Sequence, residues 1–529
     1  MELSLLLDRG CDESLQTQVF EQVRGMILNG QLKPGMKLPP TRQLAERMAV
    51  SRNTVTLGYE RLIAEGYVQS RGTAGTFISQ VPADLLHGHA GSFKHVSSTE
   101  NDAIGADMPS PLLCYAGYPA GPHLPPSARP RYDFWVGRSD PLTFPIKIWR
   151  RLMVQKLATS GFSLTEYGDP AGLEELRLAL ANHLGRSRGM SVTMEQVIVT
   201  SGSQDGLNLI CRLVDRQKHP FFIENPCYQG AAHLFQTIAS ELCPIPVDEH
   251  GLVAEKLPPK RGGVLFVTPS HQYPTGATLS LQRRLHLLRW AEATNSFIIE
   301  DDYDSDFRYD GPPLTTLAGL DRSRRVLYLG TFSKSLGAGL RLGYAVVPKE
   351  LSESARVVKS HMNSGQPWLE QAVLAEFLKS GLFDRHLRRI RQIYKARRDC
   401  LRASLERHFG PGDIYGADGG LHIVWRLPPG SPPAHIVERA ARKESIGVYA
   451  LHSGGAYDFD RSSSCDLLVF GYSSLPEKDI EHAVRSLHAI LNAFRSRCCE
   501  SLKHESEMFE EDRFPAQRYP RIPATAQEM

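Results

Sequence analysis

The sequence predicts an α/β protein that carries a small helical module near its N-terminus. From about Tyr132 to Phe494, apolar strand-like runs alternate with helical stretches, which is the pattern of an α/β domain. Residues 12–80 instead hold three short amphipathic segments and a glycine-bearing hairpin. Residues 81–131 between them are rich in Pro, Gly, Ser and His without sustained periodicity, so we expect a flexible linker there.

Length and composition favour a soluble protein with more than one domain. The chain has 529 residues, 41% of them hydrophobic and 22% charged. No apolar run approaches the roughly 18 residues that span a bilayer, and a signal-peptide pattern is absent. The nine cysteines form no CxxC pair, which favours reduced thiols over a metal or disulfide framework. We therefore expect a cytoplasmic protein without a metal site, and a disordered tail over residues 495–529.

Three helices are predicted in the N-terminal module from the spacing of its apolar residues. Thr41 is expected to cap the second helix and Ser51 the third, because a hydroxyl there accepts a free amide. The predicted buried positions are Val19, Val23, Met26 and Ile27, then Leu44, Ala45 and Met48, and finally Val55, Tyr59, Leu62 and Ile63.

The first turn of the third helix carries side chains suited to base recognition. Arg can bind guanine bidentately and Asn can bind adenine, and in a helix-turn-helix this turn enters the major groove. Residues 24–80 hold eight Lys or Arg against three Asp or Glu, an excess that favours a nucleic-acid partner. The glycines around Arg71 allow a tight hairpin. The predicted DNA-binding residues are Thr41, Arg42, Ser51, Arg52, Asn53, Thr54, Arg71 and Gly72.

Periodicity alone would also fit a three-helix protein-binding module. The residues favour a DNA reader, because LKPGMKLPPTRQLAERMAVSRNTVTLGYERLIAEGYVQSRGTAGTFI resembles the winged helix-turn-helix of GntR-type bacterial regulators over nearly its whole length.

In the α/β region, polar and aromatic residues recur at predicted strand ends and helix starts. Ser201-Gly202-Ser203-Gln204 follows the strand Val197–Thr200 at a helix start, where free amides suit a phosphate. Asp301 lies at the C-terminal end of a buried strand, where ligands bind in open α/β sheets. The other acidic residues of that segment are expected to form a solvated turn: Asp302, Asp304 and Asp306.

Six segments resemble fold-type I aminotransferases, in that family's order: YGDPAGLEELRLALANHL, VIVTSGSQDGLNLICRL, FFIENPCYQG, FVTPSHQYPTG, FIIEDDYDSDFRY and VLYLGTFSKSLGAGLRLGY. The resemblance implies a PLP-dependent transferase fold-type I domain with a smaller C-terminal α+β lobe. It implies that Lys334 binds the aldehyde of pyridoxal 5'-phosphate. Asp301 would pair with the pyridine nitrogen, Tyr303 with the phenolic oxygen, and Tyr228 would stack on the ring.

The same resemblance implies how the phosphate is held. Arg341 would neutralise it, and Tyr167 would reach the phosphate of a neighbouring subunit. The remaining implied phosphate contacts are Gly202, Ser203, Gln204, Thr331 and Ser333.

Two features depart from the aminotransferase pattern. Tyr273 stands where the family has an asparagine that hydrogen-bonds the phenolic oxygen. The predicted strand Asp466–Leu475 lacks the arginine that grips a substrate carboxylate, a role for which Arg426 or Arg461 could substitute. Both departures cast doubt on ordinary enzyme activity.

Taken together, the winged helix, linker and aminotransferase-like domain resemble the MocR/GabR group of bacterial regulators. The resemblance implies a PLP-dependent transcription regulator that binds a double-stranded DNA operator with two half-sites as a head-to-tail homodimer. The expected effector is an amine, an amino acid or pyridoxal phosphate itself. Two alternatives stay open: an active aminotransferase with an accessory DNA-binding domain, and a degenerate large domain that only dimerises.

Overall fold

The computed structural model describes residues 3, 5–10, 13–79, 129–214, 219–259, 261–310, 314–460 and 465–500, without the side chains of 495–500. The chain divides into two compact units, within residues 1–108 and 109–529. Residues 81–128 of the predicted linker and 501–529 of the predicted tail lie outside the described residues. The last helix continues to Glu500, past the predicted boundary at 494.

The N-terminal unit is a three-helix module with an antiparallel hairpin. Its elements are α1 (Leu15–Leu28), α2 (Thr41–Met48), α3 (Arg52–Ala64), β1 (Val68–Ser70) and β2 (Thr76–Ile78). The buried core is built from the predicted helix faces: Val19, Val23, Ile27, Leu44, Ala45, Val55, Tyr59 and Leu62, with Met26 and Met48 half-buried against them. Gly58 lets α3 approach α1 closely, since a Cβ there would lie 3.0 Å from Cγ1 of Val19.

Two predictions for this unit were wrong in detail. Ile63 is 39% exposed, because one helical step of about 100° beyond the buried Leu62 turns its side chain away from α1. Thr41 is the first residue of α2 rather than its cap. Pro40 occupies the cap position, and its carbonyl accepts the first helical hydrogen bond from the amide of Leu44 at 3.0 Å.

The C-terminal unit contains a large mixed sheet, a smaller antiparallel sheet and short two-stranded sheets. Its strands are β3 (Tyr132–Asp133), β4 (Val197–Thr200), β5 (Phe221–Asn225), β6 (Cys227–Tyr228), β7 (Leu242–Asp248), β8 (Gly251–Leu252), β9 (Val264–Val267), β10 (Phe297–Asp302), β11 (Val326–Thr331), β12 (Gly343–Val346), β13 (Ile414–Tyr415), β14 (His422–Arg426), β15 (Ile446–Gly447), β16 (Tyr449–Ala450), β17 (Ala456–Tyr457) and β18 (Leu467–Gly471).

Helices cover the sheet and connect its strands. They are α4 (Ile146–Ala158), α5 (Glu174–Arg188), α6 (Ser203–Leu213), α7 (Gln229–Ile238), α8 (Leu281–Ala293), α9 (Leu317–Leu320), α10 (Ser352–Asn363), α11 (Trp368–Lys379), α12 (Leu382–Phe409), α13 (Ala434–Lys443) and α14 (Glu477–Glu500). Among the helices that the structure describes, none combines the length and the apolar character that a membrane span requires.

The large sheet has eight strands in the order β4-β12-β11-β10-β9-β5-β7-β8. The neighbours from β11 to β7 run parallel, and β12 is antiparallel to both β11 and β4. Strands β4, β5, β9 and β11 are almost wholly buried and rich in Val, Ile, Leu and Phe, as expected for strands covered on both faces.

A smaller lobe follows, with the antiparallel sheet β13-β14-β18-β16 and the helices α12, α13 and α14 beside it. The predicted α/β domain with a smaller C-terminal α+β lobe is thus present in the chain.

Candidate functional site

The strand order brings the predicted cofactor residues to one edge of the large sheet. The carboxyl ends of β10 and β11 lie side by side, with Asp301 opposite Leu329. Because β12 is antiparallel to β11 and to β4, the start of β12 and the end of β4 reach the same edge, where Gly343 pairs with both Thr331 and Thr200. Segments more than a hundred residues apart therefore meet at this edge.

Lys334 lies on a short helical turn, residues 333–337, directly after β11. Its side chain is half-buried, and its amine donates to the carbonyl of Gly137 at 3.3 Å. Burial lowers the pKa of Lys334, while Asp304 and Asp301 act in the opposite direction. A lowered pKa is what a nucleophilic lysine needs, because only the neutral amine attacks a carbonyl.

Asp301 is a buried carboxyl group that lacks a full set of partners. It is 5% exposed, and its Oδ1 is buried without a hydrogen-bond partner among the described residues. Burial, joined by the nearby charge of Asp302, raises the pKa of Asp301 to about 7, although Lys334 lowers it. A buried carboxyl with a free oxygen is suited to receive a cationic N–H from a ligand.

The start of α6 forms a cradle for an anion. Gly202 precedes the helix with φ +95°, and the first amides of any helix have no partner inside it. A Cβ on Gly202 would lie 3.2 Å from Nη2 of Arg341, a tight contact, and the positive φ also favours glycine here. Arg341 itself is exposed and donates to the carbonyl of Ser201. Oε1 of Gln204 is buried without a hydrogen-bond partner among the described residues.

Hydroxyl groups flank the same cradle. Thr331 donates to Oγ of Ser333 at 2.9 Å, and the amide of Ser333 donates back to Oγ1 of Thr331 at 3.1 Å. Ser203 begins α6 and lies near the carboxylate of Asp301, whose pKa its hydroxyl lowers.

The tyrosine rings of the predicted site pack against one another. The ring of Tyr273 packs edge-on against Tyr228 at 6.3 Å and against Tyr303 at 6.1 Å between centroids. Tyr273, in the position of the missing asparagine, is buried and donates its hydroxyl to the carbonyl of Gly454. Its hydroxyl hydrogen is therefore used in a hydrogen bond to the backbone of Gly454.

The expectation of a solvated acidic turn was wrong. Asp302 and Asp304 are 5% and 2% exposed, because each is paired with a cationic or hydrogen-bonding partner. Nε of Arg188 lies 2.8 Å from Asp302, and its Nη2 lies 2.7 Å from Asp306. Asp304 lies 2.9 Å from Nδ1 of His271.

Several residues at this edge carry no local sequence signal. Gly137 and Ser139, from the loop after β3, contact the Lys334 turn, and the hydroxyl of Ser139 donates to the carbonyls of Ser333 and Lys334. His271 contacts Tyr303 across the site. Only the fold brings these segments together.

Two residues that the sequence predicted as ligand contacts do not lie among the residues described above. Tyr167 is 92% exposed, on a loop before α5. Arg426 is half-exposed at the end of β14 and is paired with Asp466 and Asp413. Arg461 lies outside the described residues.

In the N-terminal unit, the start of α3 presents the predicted recognition residues to solvent. Arg52 and Asn53 are exposed. Ser51 caps the helix as predicted, accepting the amide of Thr54 at 3.1 Å. Arg42, on α2, is exposed and paired with Glu46 at 3.1 Å.

The hairpin is cationic at its tip. The guanidinium of Arg71 lies 5.0 Å from the ring centre of Phe77, and Gly72 is exposed in the turn with φ +56°. Lys37, which the sequence interpretation missed, lies over the same ring at 5.9 Å. Gly75 permits this approach, since a Cβ there would meet Cε of Lys37 at 2.7 Å. Lys37 and Arg71 thus form one basic surface.

Comparison with known families supports this division of the chain. The model of bacterial regulatory proteins of the gntR family matches residues 15–78. The model of class I and II aminotransferases matches residues 134–452. The predicted fold class is confirmed: a winged helix-turn-helix followed by a fold-type I aminotransferase domain.

Two bacterial regulators align with most of the chain. The chain is 33% identical to the "Probable rhizopine catabolism regulatory protein MocR" of Rhizobium meliloti, over 93% of this chain and 97% of the relative. It is 32% identical to the "HTH-type pyridoxine biosynthesis transcriptional regulator PdxR" of Corynebacterium glutamicum, over 90% of this chain and 96% of the relative.

Among solved structures, a multiple substrate aminotransferase from Thermococcus profundus matches with a TM-score of 0.62 and 26% identity, over 69% of this chain and 92% of that chain. The α-aminoadipate aminotransferase LysN from Thermus thermophilus, complexed with N-(5'-phosphopyridoxyl)-L-leucine, matches with the same TM-score and identity, over 69% and 93%.

The buried carboxyl of Asp301 predicts a pH-dependent stability of the ligand-free protein. Its folded-state pKa, raised from 3.8 to about 7, means that the folded state holds the proton more tightly than the unfolded state. Stability should therefore fall as pH rises from about 4 towards 7. Asp301→Asn removes this dependence, so its stability relative to wild type should increase by about 2–3 kcal/mol between pH 5 and pH 8 in urea denaturation.

Glu249→Gln, in an exposed turn, provides the control and should show no such gain. A constant difference between wild type and Asp301→Asn across this pH range would contradict the assignment of a buried, proton-holding carboxyl.

Proposed function

This chain belongs to the gntR family of bacterial transcription regulators, in the MocR-type form with a class I and II aminotransferase domain, and we propose that it senses its effector through pyridoxal phosphate bound at Lys334. It is a DNA-binding transcription regulator. The observation that carries the proposal is the half-buried amine of Lys334 beside the buried, incompletely paired carboxyl of Asp301.

The residues at the sheet edge fit the three functional ends of pyridoxal phosphate. The free oxygen of Asp301 suits the pyridine nitrogen. The start of α6 and the exposed guanidinium of Arg341 suit the phosphate, with the hydroxyls of Thr331 and Ser333 beside them. Lys334 suits the aldehyde. When bound, the cofactor would supply an aldehyde that condenses with primary amines and a ring that withdraws electrons.

The chain's own residues set the state of that site. The carboxylate of Asp301 would hold a proton at the ring nitrogen. Burial alone disfavours the charged carboxylate, and a cationic N–H from the ring would offset that cost. Tyr228 and Tyr303 supply aromatic surface and a hydroxyl near the ring position. The amine of Lys334 donates to the carbonyl of Gly137 at 3.3 Å. It would bind the cofactor aldehyde, and an amine effector could take its place there.

Effector binding would then act on DNA binding through linkage. An amine or amino acid that releases Lys334 favours whichever arrangement of the two lobes it contacts better, and only that difference in affinity is transmitted. The strand β18 contains no arginine, so the sequence offers no standard carboxylate grip there. Amines without a carboxylate, amino acids and the cofactor itself all remain within the proposed effector class.

A head-to-tail homodimer is the proposed assembly. Large apolar side chains on α4 and in the segments beside it in sequence are exposed, which favours an interface there: Leu142, Ile146, Val154, Leu157, Phe162 and Leu164. The 92% exposed Tyr167 follows this surface in sequence, as a residue that serves a neighbouring subunit would. A dimer also presents two winged helices to two operator half-sites, which multiplies the base contacts.

The aminotransferase alternative is less favoured. In its favour stands the presence of Lys334, Asp301, Tyr303 and Arg341 in one chain. Against it stand the committed hydroxyl of Tyr273 and the missing arginine of β18.

We expect Lys334→Ala to abolish the visible absorbance that wild type gains on titration with pyridoxal phosphate. The variant should still bind operator DNA, but amines should no longer change its affinity, because no group remains for them to displace. Fluorescence anisotropy with labelled operator and a panel of amines measures both effects. Lys379→Ala, exposed on α11, should behave as wild type.

An unchanged effector response in Lys334→Ala would contradict the sensing scheme. Sustained turnover of an amino donor and an oxo acid at the rate of metabolic enzymes would instead favour the aminotransferase.

For the DNA interface, we expect Arg52→Ala and Asn53→Ala each to weaken binding to the specific operator by about 1–3 kcal/mol per lost base contact. Binding to unrelated DNA should change less, because base contacts rather than phosphate contacts are lost. Arg402→Ala, exposed on α12 of the other unit, removes the same charge and is the control. Wild-type operator affinity in both variants would remove α3 from the interface.

A further inference from the structure

The replacement of an asparagine by Tyr273 leaves the phenolic end of the proposed cofactor with an altered set of donors. The hydroxyl of Tyr273 donates to the carbonyl of Gly454 and is not free to point at the site. Of the two donors implied by the resemblance to aminotransferases, only Tyr303 remains. The groups that hydrogen-bond the hydroxyl of Tyr303 therefore determine its orientation towards the phenolic oxygen of the proposed cofactor.

His271, two residues before Tyr273, lies directly behind that hydroxyl. The hydroxyl of Tyr303 donates to the backbone carbonyl of His271 at 3.0 Å, and its oxygen lies 3.3 Å from Nδ1 of the same histidine. A phenol has one proton to donate and lone pairs that accept. If its proton turns to a ligand, the oxygen of Tyr303 can still accept from Nδ1–H.

The partners of His271 assign protons to both of its ring nitrogens. Nε2 lies 3.2 Å from the carbonyl of Gly416, and a carbonyl only accepts. Nδ1 lies 2.9 Å from Oδ2 of Asp304, and a carboxylate also only accepts. The single hydrogen on Nδ1 is therefore shared, mainly with Asp304 and in part with the oxygen of Tyr303 at 3.3 Å. A ring that donates at both positions is an imidazolium. Asp304, 2% exposed, supplies the matching negative charge.

The surroundings of the pair support this charge state. Burial lowers the pKa of His271. The charge and hydrogen bond of Asp304, the carbonyl of Gly416 and the charge of Asp418 together outweigh burial, so the pKa lies above its ordinary value. Burial and the nearby His271 hold the pKa of His422 well below its ordinary value. The titratable and charged groups that face His271 are Asp304 and Tyr303 after β10, Asp418 and His422 from the smaller lobe, Tyr273 on its own loop, and Arg188 and Arg308 around an adjoining small cavity.

His422 provides an internal comparison. It is fully buried, and its ring centre lies 4.6 Å from that of His271. Its Nε2 lies 3.0 Å from the carbonyl of Pro274, while its Nδ1 has no partner among the described residues. One histidine of the cluster thus has two acceptors and the other has one.

We propose that His271 is a positioning residue: its cationic ring, fixed by Asp304, anchors the oxygen of Tyr303 so that the hydroxyl donates to the phenolic oxygen of the cofactor. Through Tyr303, His271 supplies indirectly the polar support that the asparagine supplies directly in aminotransferases. No proton leaves the pair; the hydroxyl of Tyr303 only exchanges one acceptor for another. This inference rests on the proposed binding of pyridoxal phosphate at Lys334.

The test is the pH titration of the visible absorbance of the protein loaded with pyridoxal phosphate. A cation near the phenolic oxygen stabilises its negative charge and lowers the pKa of the lysine–cofactor linkage. His271→Gln removes that cation, so the midpoint should move upward, by on the order of one pH unit. Asp304→Asn also removes an anion that raises the pKa of Lys334, so its midpoint should lie below that of His271→Gln. His422→Gln, equally buried in the same cluster, should leave the midpoint in place.

A second measurement covers the case in which the variants do not fold. In wild type labelled with 15N-histidine, NMR should find one histidine whose two ring nitrogens stay protonated to a higher pH than those of the other histidines, with or without cofactor. No such histidine, or a midpoint unmoved in folded His271→Gln, would overturn the inference alone. Absence of any Lys334-dependent band in wild type would instead overturn the proposed function, and this inference with it.

Discussion

The burial of the Asp301 carboxyl group within the electrostatic influence of Lys334 is the constraint on which the site depends. A carboxyl buried at the end of β10 carries a desolvation cost that its pKa of about 7 reflects, and the amine of Lys334 offsets only part of it. An unpaired oxygen in such a place is unfavourable unless a ligand completes it. The ligand-free chain therefore holds a site that a cationic ring nitrogen stabilises.

The strand order of the large sheet brings Asp301 and Lys334 to the same edge. Parallel β10 and β11 bring Asp301 and the Lys334 turn to one edge, and the reversed β12 returns Arg341 beside the start of α6. The smaller lobe contacts the same edge through Gly416 and Gly454. Residues of both lobes of this unit therefore meet at the proposed cofactor site. The other unit is the winged helix-turn-helix of a transcription regulator.

Much of this could be predicted from local patterns. The strand Val197–Thr200 and the cap at Ser51 were predicted correctly, because burial and capping act over a few residues. The burial of Asp304, the Lys334–Gly137 contact and the basic pair of Lys37 and Arg71 could not be predicted. Each joins residues between 33 and 197 positions apart, where no periodicity operates. Acidic clusters look solvated in a sequence until their distant partners are known.

The most direct test of the account is to trap the cofactor where it binds. Protein loaded with pyridoxal phosphate is treated with borohydride, digested and mapped by mass spectrometry. The account predicts a stable phosphopyridoxyl group on the peptide that contains Lys334, and none when the loaded variant is Lys334→Ala. A group on another lysine, or an unmodified Lys334 after saturation with cofactor, would contradict it.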